Sequence, residues 1–361
     1  MWAAPDGLPF RPKAMKPSMR VAKVVAPREI RLEDAPVPSP GPGEVLVRIR
    51  AVGLCGSDLQ YYAHGRIGDL EFGAGHILGH EVAGVVEALG PGSDGPAPGT
   101  PVVVDPAIPC GGCRYCAAGH PNLCRHLRFF GSPPTPGALR EYLTHPSHLV
   151  LPLPPGMTLA AGAVSEALGV AIHAVDLSHL RVGQSAAVFG CGPVGLLIAR
   201  VAQIGGASPV LASEPLAHRR QAASSFGAAA TFDPGRDNVV EAIREGTGGE
   251  GVDVAFEVAG SESATVQAVD AVRPGGTLVL VGYWKKDEVM LPGIRAMRKG
   301  LTIRFVRRMK HTFPRALELL RQGLVNLPAL ISHEFELSDV AEAFARAEKR
   351  SPNFLKTIVT L

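Results

Sequence analysis

Cys110, Cys113, Cys116 and Cys124 are spaced C-x2-C-x2-C-x7-C, so four of the chain's six cysteines fall in one short loop. Four thiolates held that close complete a tetrahedral zinc shell with no position left open, which makes the metal a brace rather than a catalyst. The loop predicts a need for one, because Pro109, Gly111, Gly112, Gly119 and Pro121 leave it little core of its own. The competing reading is free thiols or disulfides, and a reducing compartment disfavours the latter.

A second set is assembled from distant positions. Cys55 lies in Gly53-Leu54-Cys55-Gly56-Ser57-Asp58, and His80-Glu81 follows Gly79. Taken singly, a cysteine is usually inert core and a histidine a satisfied structural residue. Together, thiolate, imidazole and carboxylate make a three-ligand set that leaves a fourth position free, as a metal acting on a substrate requires.

Gly190-Cys191-Gly192-Pro193-Val194-Gly195 matches G-x-G-x-x-G between an expected strand and an expected helix. Such a turn admits a dinucleotide's pyrophosphate to the backbone and aims a helix N-terminus at it. Glu214 follows at the end of the next strand, placed to accept from ribose hydroxyls and to repel a 2′-phosphate, which favours NAD over NADP. His218, Arg219 and Arg220 come just after it and read either as a phosphate contact or as a solvated basic turn.

These groups need two kinds of scaffold. Residues 20–26, 45–52 and 81–89 are short β-runs broken by Pro and Gly, giving a mostly β part. Residues 105–155 lack periodicity. From 157 onward the pattern changes to helix at 157–177, strand at 185–189, helix at 193–204, strand at 209–213, helix at 217–226, strand at 252–257, helix at 261–272 and strand at 277–282. That alternation predicts an α/β region with a doubly wound parallel sheet. After 304 the character is mixed, with amphipathic helices at 313–322 and 338–349.

A chain of 361 residues fits two domains with a cleft between them. Hydrophobic residues at 46% and charged ones at 19% exclude wholesale disorder. Lys and Arg number 36 against 33 Asp and Glu, too even a balance for a nucleic-acid or membrane-binding face. Residues 1–19 carry Pro5, Pro9, Pro12 and Pro17 with no signal-peptide core, and are expected to be a flexible leader; Met15 and Met19 are alternative starts. No transmembrane helix and a cytoplasmic location are expected.

With these residues in view, the sequence resembles the zinc-containing medium-chain dehydrogenase/reductase family, within it the polyol branch. Beyond the motifs above, the likeness includes Cys55-Gly56-Ser57-Asp58, YYAHGRIG at 61–68, FFGSPPTPGAL at 129–139 and Ser165-Glu166-Ala167-Leu168, and it runs from Met19 to the end. It implies a GroES-like mostly β catalytic domain from residues 20–168 and 308–361, with a Rossmann domain of residues 169–307 inserted. It also implies zinc-dependent hydride transfer between a secondary alcohol of a polyol and NAD, in a homotetramer or homodimer. Cys55, His80 and Glu81 become catalytic zinc ligands, with Glu166 either a further ligand or the holder of the metal's water. Asp58 orients His80, Ser57 takes the alcohol proton, and Tyr61, Glu166 and Arg308 read the remaining hydroxyls. Arg219 joins Gly190, Gly192, Pro193, Val194, Gly195 and Glu214 at the cofactor.

Two departures bear on this. Gln60 stands where relatives commonly carry a proton-relay histidine, leaving His64 or bulk water as acceptor, and Met309 replaces a tyrosine beside Arg308. Dehydrogenation of a diol, threonine, cyclitol or aldonic acid stays open, as does a non-catalytic zinc and nucleotide-binding role.

Overall fold

The computed structural model describes residues 17–73, 75–284, 288–349 and 353–361. Residues 1–16 of the expected leader lie outside these. At its end the expectation fails: strand Ser18–Ala26 already includes Ser18 and Met19, and Met19 is buried. Met19, Val21, Ala22 and Val24 of this strand are all buried in the core, so the fold begins earlier than proline content suggests.

A seven-stranded sheet gathers both ends of the chain. Its order is Val150–Pro152, Pro101–Val104, Glu81–Leu89, Glu44–Gly53, Lys356–Thr360, Ile331–Glu336, with Tyr142–Pro146 also paired to Glu44–Gly53. The register sets the site. Gly53 pairs with Glu81 on one side and Ile358 on the other, so Cys55, His80, Glu81 and Lys356 all cluster at one end of three neighbouring strands. Residues 105–155, expected to be irregular, supply two of the sheet's strands; the proline-bounded runs 142–146 and 150–152 are too short for periodicity to reveal.

The second sheet has six parallel strands in the order Ala230–Phe232, Val210–Ser213, Ala186–Phe189, Val252–Glu257, Val272–Leu280, Thr302–Phe305. This 3-2-1-4-5-6 order is that of a doubly wound dinucleotide-binding sheet, whose switch point falls between the strands ending at Phe189 and Glu257. Helices Pro193–Ile204 and Glu262–Ala271 pack on it through buried alanines, leucines and valines.

The expected boundary at 168/169 falls inside one unbroken helix, Ser165–Ser178, which packs with Phe313–Arg321 in a core shared by both sheets. The helical stretch Leu159–Ser178 is long and apolar enough to cross a bilayer, but 72% of it is buried in the fold. Its apolarity is that of a core helix.

Candidate active site

The open site is built by one helix N-terminus and one strand start. Ligand atoms of Cys55, His80 and Glu81 lie within 4.8 Å of one another. Cys55 caps helix Gly56–His64, and its backbone N–H donates to Asp58 Oδ2 at 3.0 Å. Asp58 Oδ1 accepts from the Gly79 N–H at 3.1 Å and lies 3.5 Å from His80 Nδ1. One buried carboxylate thus fixes the helix start, the Gly79 backbone and the His80 ring. Burial opposes its ionisation, yet His80 and the N–H groups of Cys55 and Gly79 hold Asp58 below the usual carboxylate range. With Nδ1 engaged, Nε2 is left to a metal. Replacing Asp58 by Asn should lower zinc affinity and kcat/KM by about 10–100-fold, read by metal analysis after dialysis and by initial rates.

The sequence reading missed Lys356. Its Nζ donates to Glu81 Oε1 at 2.5 Å and to Leu54 O at 3.0 Å, deep in the protein. Glu81 Oε2 is buried and unpartnered. An unpaired buried carboxylate oxygen beside a thiol and an imidazole is what a cation would satisfy, so the residues fit zinc. A lysine opening the β-branched run Thr357 to Thr360 was the available signal.

Glu166 is not one of the three clustered ligands. It sits buried in the first turn of Ser165–Ser178, where burial raises its carboxyl to about 7, Glu81 and Asp105 add to the rise, and His80 and Lys356 oppose it. A buried carboxyl poised near neutrality can hold water or substrate.

Phe129 forms one wall of the cleft. Its ring is 5.2 Å from that of His80, and the Arg308 guanidinium stacks over it at 3.6 Å. Arg308 Nη1 has no partner, and burial lowers the side chain to about 10. Adjacent Arg307 points elsewhere, donating to Asn122 O at 3.3 Å, so Arg308 is the arginine of the cleft. Tyr61 is buried, with its hydroxyl 3.3 Å from Ser132 Oγ. Met309 is buried against Gly169 in the helical core, so the missing tyrosine is not replaced from that position. Ser57 is partly exposed in the first turn after Cys55, while His64 is exposed at the far end of the helix.

At the nucleotide turn, Gly190 takes φ +101°, and a side chain at Gly195 would strike the Gly190 carbonyl. Helix Pro193–Ile204 starts at Gly192 without a side-chain cap, leaving its first N–H groups free for an anion, and Val194 lies in that first turn. Glu214 is buried; Oε2 accepts from Cys191 N–H at 2.8 Å and Oε1 from Leu216 N–H at 3.1 Å. Arg219 Nη1 lies beside Gly192. Arg220 is instead engaged by the Glu214 and Pro215 carbonyls and by Asp233 at 3.0 Å. An acidic residue at the ribose position and a cation at the phosphate turn fit a dinucleotide.

Glu257 ends the strand across the switch point. Its Oε1 accepts from Gly260 N–H at 2.8 Å, Oε2 is unpartnered, and burial raises the carboxyl to about 7 from an ordinary 4.5. The folded chain therefore holds this proton where the unfolded chain has released it. The contribution to stability is complete below pH 4.5 and is lost as pH rises through about 7. Glu257→Gln should melt close to the parent at pH 5 and above it at pH 8, by about 1–3 kcal/mol in denaturant titrations.

The cysteine lobe carries the closed site. Ligand atoms of Cys110, Cys113, Cys116 and Cys124 also lie within 4.8 Å of one another. Backbone N–H groups of Cys110 and His126 donate to Cys124 Sγ at 3.3 Å each, and that of Cys116 is the chief cause lowering Cys113 to about 6. Donors aimed at sulfur stabilise thiolates, so this set too fits zinc.

A doubly wound parallel sheet carrying a dinucleotide turn, sharing a core with the sheet that builds a three-ligand metal set, defines a zinc-competent, nucleotide-dependent oxidoreductase. Comparison with known proteins agrees. The alcohol dehydrogenase GroES-like domain profile matches residues 41–155 and the zinc-binding dehydrogenase profile residues 193–322. Sorbitol dehydrogenase of Bacillus subtilis (strain 168) is 34% identical over 342 residues, covering 95% of this chain and 97% of that protein. D-xylulose reductase A of Aspergillus niger is 36% identical over 336 residues, 91% and 93% of the two chains. The solved structure of 2R,3R-butanediol dehydrogenase from Bacillus subtilis superposes with a TM-score of 0.86 at 32% identity, covering 95% of this chain and all of that one. The chain belongs to the zinc-containing medium-chain dehydrogenase/reductase family.

Proposed function

We propose that this protein moves a hydride between a secondary carbinol of a polyol, of the sorbitol or xylitol kind, and NAD. The observation that carries the reading is the Cys55, His80 and Glu81 set together with an Arg308 whose Nη1 is unpartnered and a buried Glu166. Zinc held by the three ligands would supply the charge that acidifies a substrate hydroxyl, and NAD along the turn at Gly190 to Gly195 would supply the hydride acceptor. Ser57 takes the hydroxyl proton and hands it outward; Gln60 titrates nowhere near neutrality, so exposed His64 or water receives it. Glu166, raised to about 7, accepts or donates a hydrogen bond near neutral pH. Arg308 donates to hydroxyls beyond the reacting one, and Tyr61 with Ser132 closes that wall. Glu214 faces the adenosine ribose and Arg219 the pyrophosphate.

The division we adopt is a GroES-like domain of residues 20–168 and 308–361, extended to Ser18, and a Rossmann domain of 169–307. The edge strand Thr302–Phe305 exposes Phe305, with Ile294 and Met297 exposed nearby; we assign this face to self-association. Six free cysteines suit a reducing cytoplasm.

The test is purified protein with NAD or NADP and a panel of pentitols, hexitols, cyclitols, diols, threonine and aldonates. Reduction of NAD by a pentitol or hexitol with the highest kcat/KM, abolished by a chelator, supports the reading. Binding of NADH without turnover of any member would overturn it.

A further inference from the structure

Tyr283 plays no part in any motif described above. It lies three residues beyond Leu280, and Arg308 lies three beyond Phe305, where Leu280 and Phe305 are paired in register on adjacent parallel strands. The two residues therefore follow the carboxyl ends of adjacent strands, where ligands of such sheets bind, and each feels the other's charge. Tyr283 keeps 58% of its surface open. Its surroundings are nonetheless those of the open metal site. Although water still reaches the ring, the protein crowded around it holds the phenol above the usual tyrosine range, Cys55 and Tyr61 add to this, and Arg308 and His80 oppose it. Among the described residues, Tyr61 is occupied by Ser132, and no protein group takes up the Tyr283 hydroxyl.

We propose that Tyr283 reaches from the nucleotide-binding sheet across the cleft and reads substrate hydroxyls together with Arg308, making it a specificity-determining residue for polyols. The chemistry of the pair is complementary. A guanidinium only donates, whereas a phenol both donates and accepts. A vicinal diol can accept from Arg308 through one oxygen and donate to Tyr283 through the next, which a simple secondary alcohol cannot do. The phenol also stands in for the tyrosine that is missing beside Arg308, where this chain has the buried Met309.

This inference rests on the polyol reading, and one experiment separates them. Tyr283→Phe and Tyr283→Leu are compared with the parent zinc-loaded enzyme on xylitol, sorbitol and 2-butanol at saturating NAD. The expected result is about a tenfold fall in kcat/KM for both polyols in Tyr283→Phe, carried by KM and at least as large in Tyr283→Leu. Rates on 2-butanol and the KM for NAD should stay within about twofold of the parent. Unchanged polyol kinetics overturn the inference alone. An equal loss on 2-butanol, or a raised KM for NAD, would show a structural or cofactor role and also overturn it. A parent enzyme that oxidises 2-butanol but no polyol removes both readings.

Discussion

Replacing Cys55 by Ser or Ala is expected to lower kcat/KM for alcohol oxidation about a thousandfold or more, while NADH binding followed by fluorescence is unchanged. The expectation follows from where each function sits. Among the described residues Cys55 shares its 4.8 Å cluster only with His80 and Glu81, whereas the nucleotide turn hangs on the other sheet. Losing one of three ligands removes the charge that makes a hydroxyl acidic, several kcal/mol of transition-state stabilisation. It does not remove the scaffold, because the Cys55 backbone N–H still donates to Asp58. Turnover persisting near the parent rate in Cys55→Ala would mean that the metal set does not carry the chemistry.

The second large effect concerns the lobe. Helix Arg114–Ala117 has no buried residue, and within the lobe only Asn122 and Cys124 are buried. A segment with so little apolar contact has almost nothing but its metal to hold it. In Cys113→Ser, or after chelation of the parent, backbone N–H groups of Ala117, Ala118, Gly119 and His120, which now donate within the lobe, should exchange hydrogen about a thousandfold faster. The parallel sheet should keep its protection. The lobe also bonds Arg307, the neighbour of Arg308, through Asn122, so a raised KM for the substrate should accompany the loss. Unchanged exchange at these amides would show that the four cysteines are not a brace.

What the sequence made legible followed from local pattern. The strand, glycine turn and helix from Ala186 to Ile204 could be read directly, because turn chemistry and helical spacing are encoded within a few residues. The four-cysteine loop was equally local. Strands such as Tyr142–Pro146 were not, since they exist only through pairing with Glu44–Gly53. The same limit governed the site. Cys55, His80 and Glu81 could be named from residue type, but Lys356 arrives at Glu81 by strand pairing across the length of the chain. Phe129 and Tyr283 gain their places through contacts that no spacing records. Glu166 shows the reverse case: its motif was visible, and its carboxyl lies outside the 4.8 Å cluster of Cys55, His80 and Glu81.

The measurement closest to the central claim follows the hydrogen itself. Zinc-loaded protein is given NAD and xylitol or sorbitol carrying deuterium at the carbinol carbons, and the reduced cofactor is examined by NMR. Deuterium at the C4 position of the nicotinamide, lost when a chelator empties the site or when His80 is replaced by Ala, is the predicted result. Reduced cofactor without label, or labelled cofactor formed equally well after the metal is gone, would contradict the account.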